Sequence, residues 1–282
     1  MTVAVTGASG QLGRLVVLAL VEQGIAPVAL VRDPAKGGDL AERGVEIRQA
    51  DYNDPEGFER ALDGVRKLLL ISGSENGSRV PQHTNVIRAA ERAGVELLAY
   101  TSIPDATHNP MILAREHRAT EEVLAESSLG TVLLRNGWYW ENYLPRLTQA
   151  AESGVLYGAA GDGRVAAATR RDYALAAATV LSTEGHEGRV YELGGDEPLT
   201  LAELAQVFSA ASGKPIRYEN LSEPDYAAAL RQAGLPEFVA EFSSNADAGS
   251  AAGWLDVRAG DLHKLIGRRT TSAADAIRAA LG

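Results

Sequence analysis

The stretch "VAVTGASGQLGRLV", residues 3–16, places Gly7, Gly10 and Gly13 between a short β-branched run and the start of an amphipathic segment. The spacing is G-x-x-G-x-x-G. Glycine permits a tight turn, lets backbone N–H groups approach a pyrophosphate, and lets a helix pack closely on the strand before it. The helix N-terminus adds roughly half a positive charge toward the anion. On this reading Gly7, Ala8, Ser9, Gly10, Gln11, Leu12 and Gly13 form a dinucleotide phosphate loop. A glycine-rich structural turn is the alternative, and the surrounding pattern decides against it.

Moving outward, strand-like runs cover residues 3–6, 28–31, 46–49, 67–71, 97–101 and 131–134. Helix-period segments alternate with them at 12–22, 35–43, 56–62, 82–92 and 112–126. Gly24, Gly44, Gly64, Gly94 and Gly130 follow these segments, as left-handed C-caps would. Strands alternating with helices predict right-handed crossovers, hence an α/β, doubly wound Rossmann-type parallel sheet. A helix over 172–181 and a strand over 189–193 extend it, and beyond Gly194 come shorter helical segments at 201–212, 225–233, 262–266 and 272–281. The expected organisation is a dinucleotide domain over 1–194 and a smaller, mostly helical lobe over 195–282 on the sheet's carboxyl edge. Residues 136–170 are expected to be shared between the two.

The end of the second strand selects the dinucleotide. NAD binders place an acidic residue there for the ribose 2′-OH. Here "VALVRD" ends in Arg32, with Asp33 after it. A guanidinium matches the geometry and charge of a 2′-phosphate, so NADP(H) is favoured over NAD(H). Ligands of open α/β sheets sit beyond the carboxyl ends of the strands. That position alone brings in Asp51 and Tyr52 near the adenine, Ile71, Ser72 and Gly73 near the ribose and nicotinamide, and Thr101 and Ser102.

Composition narrows the function classes. A net charge of −10 argues against nucleic acid as the main partner. The chain has no cysteine, which removes thiol nucleophiles and cysteine metal sites and fits a reducing cytoplasm. No apolar run is long enough to span a membrane and no signal peptide is visible, so a soluble cytoplasmic protein is expected. A homodimer is compatible with the sequence. No metal-ligand spacing occurs.

Two further features bear on chemistry. None of the nine tyrosines is followed four residues later by a lysine, so the usual acid/base pair of alcohol–ketone reductases is missing. His117 and Glu121 stand four apart in a helical segment, either as a proton relay and substrate contact near the cleft or as an exposed helix pair. Residues 135–143, "RNGWYWENY", gather Trp138, Tyr139, Trp140 and Tyr143 beside Asn136, Gly137, Glu141 and Asn142. That is too aromatic for an ordinary loop and too polar for a core strand.

Together with "TGASGQLG", the blocks "RQADY", "KLLLISGSE", "PQHTNVI", "AYTS", "LLRNGWYWENY", "GAAGDGRVAAATR", "GHEGRVYEL" and "KLIG" resemble the NmrA-like atypical short-chain dehydrogenases. Within them the chain is most similar to the type 2 NAD(P)H:quinone oxidoreductases. The resemblance spans nearly the whole chain. It implies NADPH-dependent, flavin-free and metal-free reduction of a quinone by direct hydride transfer.

It also implies roles. Leu68, Leu69, Leu70, Ile71, Ser72 and Gly73, with Asn136, Gly137, Trp138, Tyr139, Trp140 and Glu141, would flank the ribose and nicotinamide. Asn142 matches the family's catalytic asparagine, and Arg170 would lie at the same mouth. This chain carries Trp140 where bacterial relatives often have serine, a departure that bears on the shape of the pocket. The aromatic faces of Trp138, Tyr139, Trp140 and Tyr143 suit a flat acceptor. An already electrophilic quinone needs orientation and a neutral N–H donor more than a strong acid, which fits the missing Tyr/Lys pair. The alternatives are reduction of another planar acceptor, such as a triphenylmethane dye, and NAD(P) sensing without turnover.

Overall fold

The computed structural model describes every residue except Met1, Ser74, Asn76 and Gly282. Along the chain run β1 (Val3–Val5), α1 (Gln11–Glu22), β2 (Val28–Val31), α2 (Gly38–Ala41), β3 (Glu46–Gln49), α3 (Pro55–Ala61), β4 (Lys67–Leu70), α4 (Arg79–Arg92), β5 (Leu97–Ser102) and α5 (Ile112–Ala125). Then follow β6 (Gly130–Asn136), α6 (Leu144–Ser153), β7 (Val155–Gly158), α7 (Arg170–Ser182) and β8 (Val190–Leu193). The chain ends with α8 (Leu201–Ser212), β9 (Arg217–Asn220), α9 (Glu223–Gln232), α10 (Glu237–Ala251), α11 (Asp261–Ile266) and α12 (Ala273–Leu281).

Seven strands form one sheet in the order β3-β2-β1-β4-β5-β6-β8, and every pairing from β3 to β6 is parallel. This is the doubly wound Rossmann arrangement expected from the alternation of elements. The chain order reverses beside β1, whose two neighbours are β2 and β4. That is the switch point where such sheets hold ligands. Every residue of β1, β2, β4 and β5 is buried, so their near-continuous apolar runs reflect coverage on both faces. Edge strand β3, "EIRQ", is half-exposed and carries charge, which guards the edge against further pairing.

Two compact units emerge. The first comprises residues 1–106, 116–136 and 170–191, and the second residues 107–115, 137–169 and 192–282. In the first, Phe58, Leu62, Val86, Ile87 and Leu124 pack with Leu30, Leu68, Leu70, Leu98 and Tyr100 of the strands into one core. α1 packs against α7, whose buried Ala174, Ala176, Ala177 and Ala178 let two helices approach closely.

In the second, β7 and β9 form a small parallel sheet. Arg146 grips Asp247 through two N–H···O contacts of 3.0 Å each, and its guanidinium lies over the rings of Tyr143 and Tyr226. Asp247 also accepts the Ala159 N–H at 3.0 Å, so this buried hub anchors the loop after β7. Thr200 and Glu203 close a reciprocal capping box at the start of α8.

One expected detail is corrected. Gly24, Gly44, Gly64 and Gly94 take positive φ as helix-ending glycines do, but Gly130 does not. Gly130 opens β6 opposite Leu97, where a Cβ would lie 2.8 Å from the Glu96 carbonyl oxygen. Close backbone approach, not left-handed conformation, demands glycine there.

Candidate active site

The glycine loop leaves β1 through Gly7 at φ +56°, and the Gly10 N–H turns back to the Gly7 carbonyl at 2.8 Å. A Cβ on Gly13 would overlap the Gly7 carbonyl, with the carbonyl carbon 2.8 Å away, so only glycine lets α1 sit this close to the loop. Gly7, Ser9, Gly10 and Gln11 are exposed, whereas Ala8, Leu12 and Gly13 are buried and support them from inside. Gly10 gives α1 no side-chain cap, and no acidic residue occupies its first turn. The result is a rim of backbone N–H groups with partial positive charge and no competing carboxylate. That donor set fits a pyrophosphate.

Arg32 follows β2 with an exposed guanidinium, 3.0 Å from Glu75. Asp33, the acid next to it, accepts the Ala35 N–H at 3.1 Å and caps the short 3-10 turn Pro34–Gly37. This carboxylate is thus engaged in local structure, leaving Arg32 to meet an anion. Asp51 likewise turns back on its own chain, accepting the Asn53 N–H at 2.9 Å.

Tyr52 reaches beneath the ends of β1 and β4, where its hydroxyl lies 2.5 Å from Thr6 Oγ1 and donates to the Ile71 carbonyl at 2.9 Å. Burial pushes this phenol well above its ordinary pKa, so it stays protonated. Leu68, Leu69 and Leu70 are wholly buried in β4, so the open face of this segment begins at Ile71, with Ser72 and Gly73.

The reading of His117 and Glu121 as an exposed helix pair is corrected. The ring is buried, with Nδ1 2.8 Å from the Tyr100 hydroxyl, so it is no exposed helix partner. Burial, aided by the Arg79 charge, pushes its pKa far down, and burial raises that of Tyr100. The pair is therefore a neutral imidazole beside a protonated phenol. Glu121 instead receives the Ser102 hydroxyl at 2.5 Å and a bidentate Arg135 at 3.0 and 2.6 Å. Ser102 and Arg135 stand in register on β5 and β6, with buried Asn136 ending β6.

In the second unit residues 138–140 run beside Ala168. Trp138 and Trp140 bracket Ala168, exchanging backbone hydrogen bonds of 3.1 and 3.0 Å with it, and the Gly137 N–H reaches the Leu193 carbonyl at 2.8 Å. This pairing turns Trp140 inward, where it is 3% exposed against Tyr143, with its ring centroid 6.4 Å away. Tyr143 is equally buried, over Arg146. Trp138, Tyr139, Glu141 and Asn142 are half-exposed, and Asn142 ends a 3-10 turn that starts at Trp140. Of these four rings, those of Trp138 and Tyr139 are half-exposed, while Trp140 and Tyr143 are packed inside. Arg170, half-exposed, opens α7 of the first unit.

Sequence reasoning passed over Thr6 and Arg79, and it reads His83, which has no metal-like spacing to Asp or Glu, as structural or lining the cofactor cleft. The polar atoms of all three hold residues 71 and 73. Among the described residues no three His, Asp or Glu side chains group as a metal site, and no helix is long and apolar enough to cross a membrane.

A parallel sheet reversing beside β1, a glycine loop at that point and a bare helix N-terminus define a dinucleotide-binding protein. The NAD(P)H-binding family matches residues 7–184, and the chain belongs to it, within the NmrA-like atypical short-chain dehydrogenases. It is 52% identical over 277 residues to quinone oxidoreductase 2 of Escherichia coli K12, covering 98% of this chain and 97% of that one. The crystal structure of the E. coli NADPH-dependent quinone oxidoreductase complexed with NADPH superposes with a TM-score of 0.97 at 51% identity, covering 99% and 100% of the two chains. The triphenylmethane reductase of a Citrobacter species gives a TM-score of 0.93 at 39% identity, covering 100% and 99%.

Proposed function

We propose that this protein is an NADPH-dependent quinone reductase that works by direct hydride transfer. The observation that carries the reading is the 52% identity, end to end, with quinone oxidoreductase 2. The glycine loop and Arg32 supply its physical basis.

NADPH, when bound, supplies a hydride from its nicotinamide ring. Gly7, Ser9, Gly10 and Gln11 would hold the pyrophosphate on the uncapped start of α1. Arg32 would exchange its contact with Glu75 for the 2′-phosphate, a stronger, doubly charged acceptor. Trp138 and Tyr139 offer half-exposed aromatic faces to a flat acceptor. The Asn142 amide, half-exposed beside them in the chain, would donate an N–H to the quinone oxygen as that oxygen gains charge.

His83 and His117 are held neutral, and Tyr52, Tyr100 and Tyr143 are held as protonated phenols. None of these buried groups offers a readily exchanged proton at neutral pH, so water would supply the proton that completes the reduced quinone in this reading.

The test is NADPH oxidation with p-benzoquinone, with a triphenylmethane dye, and with no acceptor. Quinone turnover well above the other two is expected. Faster turnover of the dye would transfer the assignment to the dye reductases, the second reading that the 39% identical Citrobacter structure favours. Tight NADPH binding with no turnover of either acceptor would overturn the reductase reading altogether.

A further inference from the structure

Beyond β4, three consecutive residues have their backbone held by side chains of other elements. The Ile71 N–H donates to Thr6 Oγ1 at 2.9 Å, and the Ile71 carbonyl accepts from the Tyr52 hydroxyl at 2.9 Å. The Ser72 N–H donates to Thr101 Oγ1 at 2.9 Å. The Gly73 N–H donates to His83 Nε2 at 3.0 Å, and its carbonyl accepts from Arg79 Nε at 2.7 Å. Thr6, Thr101, His83 and Arg79 are all buried, whereas residues 71–73 are half-exposed. Water could satisfy a half-exposed backbone. Buried polar side chains directed at it from behind do something water cannot, which is to fix its position.

Gly73 adds a second observation. Its φ lies outside the left-handed region, and a Cβ there would meet its nearest neighbour, Gln82 Oε1, at an ordinary 3.5 Å. Among the described residues, neither backbone conformation nor packing requires glycine. A glycine there leaves the chain open to close approach by a ligand.

The direction of each hydrogen bond can be assigned. A backbone N–H only donates, so His83 Nε2 must accept and the ring's proton sits on Nδ1. Nδ1 faces Thr120 Oγ1 at 3.0 Å, and the Thr120 hydroxyl spends its own hydrogen on the Glu116 carbonyl at 2.8 Å. Along the run from Gly73 through His83 and Thr120 to Glu116 each donor thus has one acceptor, and Thr120 fixes the tautomer. We propose that the Thr120–His83 pair is a positioning device. It presents the Gly73 backbone to the ribose and nicotinamide half of the cofactor. The proposal rests on the NADPH reading. Burial and the charge of Arg79 lower the His83 pKa to about 3, which keeps the ring in the neutral form the device needs.

The test combines NADPH titration by fluorescence with steady-state kinetics on the whole protein. His83→Leu removes the acceptor at similar volume, and the NADPH Kd is expected to rise about tenfold while KM for benzoquinone changes less than ~2-fold. His83→Gln puts a carbonyl oxygen near the place of Nε2 and should recover Kd to within ~3-fold of wild type. Thr120→Val frees the ring proton to move to Nε2, where it opposes the Gly73 N–H. It should therefore weaken NADPH binding beside His83 and leave it unchanged in the His83→Gln background.

Wild-type affinity in His83→Leu, equal impairment in His83→Leu and His83→Gln, or the same Thr120→Val effect in both backgrounds would each overturn the proposal. If His83→Leu does not fold, Gly73→Ala tests the open face: its melting temperature should stay unchanged while NADPH binding is lost, and normal binding would overturn the proposal. Wild-type protein that binds no NADPH overturns the cofactor reading as well. Wild type that binds while Gly73→Ala binds equally overturns the proposal alone.

Discussion

Arg135 and Glu121 meet side-on in a bidentate pair, 3.0 and 2.6 Å, with only 11% and 10% of their side chains exposed, and Ser102 adds its hydroxyl to the same carboxylate. Removing one partner of such a pair leaves an uncompensated buried charge. Glu121→Ala should cost about 3–5 kcal/mol in urea unfolding. The double change Glu121→Leu with Arg135→Met should cost much less than the sum of its singles. Additive losses would show that the two charges are not coupled.

Gly13→Ala tests the phosphate loop. A Cβ there would overlap the Gly7 carbonyl, which is backbone and cannot rotate away. Either α1 or the loop must shift, so NADPH affinity should fall by more than ~10-fold, with a loss of stability of about 1–3 kcal/mol for overpacking. Gly24→Ala, where a Cβ meets open space but φ is +77°, should lose a little stability and no affinity. Equal NADPH affinity in both variants would remove the loop from the cofactor site.

Arg32→Gln isolates the 2′-phosphate. A charge-assisted hydrogen bond contributes about 1.5–3 kcal/mol, so KM for NADPH should rise roughly 10- to 100-fold. KM for NADH should stay nearly constant. A preference for NADPH that survives the substitution would assign the 2′-phosphate to another residue.

Asn142→Ala separates chemistry from cofactor binding. Loss of a donor aimed at developing charge typically lowers kcat by about 10²–10³. NADPH affinity measured by fluorescence should not change. Parallel loss of both would make Asn142 a structural residue of its turn.

Acid stability carries the mark of the buried imidazoles. The folded-state pKa of His83 is lowered from 6.5 to about 3, and that of His117 also falls well below 6.5. Below pH 6.5 the unfolded chain therefore binds protons that the folded chain refuses. Their contribution is fully present above that pH and is lost as pH falls, for His83 by up to about 1.4 kcal/mol per pH unit down to about pH 3, with His117 acting in the same direction. Urea unfolding between pH 7 and pH 4 should show this slope, and His83→Gln should remove one ring's share.

Much of the sheet was readable because its signals are local. Buried strands such as "KLLL" in β4 read as apolar runs, and Gly24, Gly44, Gly64 and Gly94 mark turns by conformation alone. The 15-residue α10 was not foreseen, because its buried face is made of Ala240, Ser244, Ala246, Asp247, Gly249 and Ser250. Small and polar residues carry no hydrophobic period, and Asp247 is buried only because Arg146 meets it. β7 and β9, four residues each, are too short to stand out.

The candidate site divides in the same way. The glycine loop lies within seven residues and could be read directly. The support of residues 71–73 joins Thr6, Tyr52, His83 and Thr101 across the fold, and no local pattern announces it. The inward turn of Trp140 depends on backbone pairing with Ala168, which spacing does not encode.

That inward turn gives the protein an optical signature of its own. Trp140 is buried against the Tyr143 ring, whereas Trp138, two residues earlier, is half-open to solvent. The two indoles should emit at different wavelengths, a bluer component shielded from acrylamide and a redder one open to it. Half-exposed Trp254 adds to the redder component, so a flat, electron-poor acceptor stacked on Trp138 would dim that component by Trp138's share and spare the blue. Acceptor occupancy could then be followed without label or turnover.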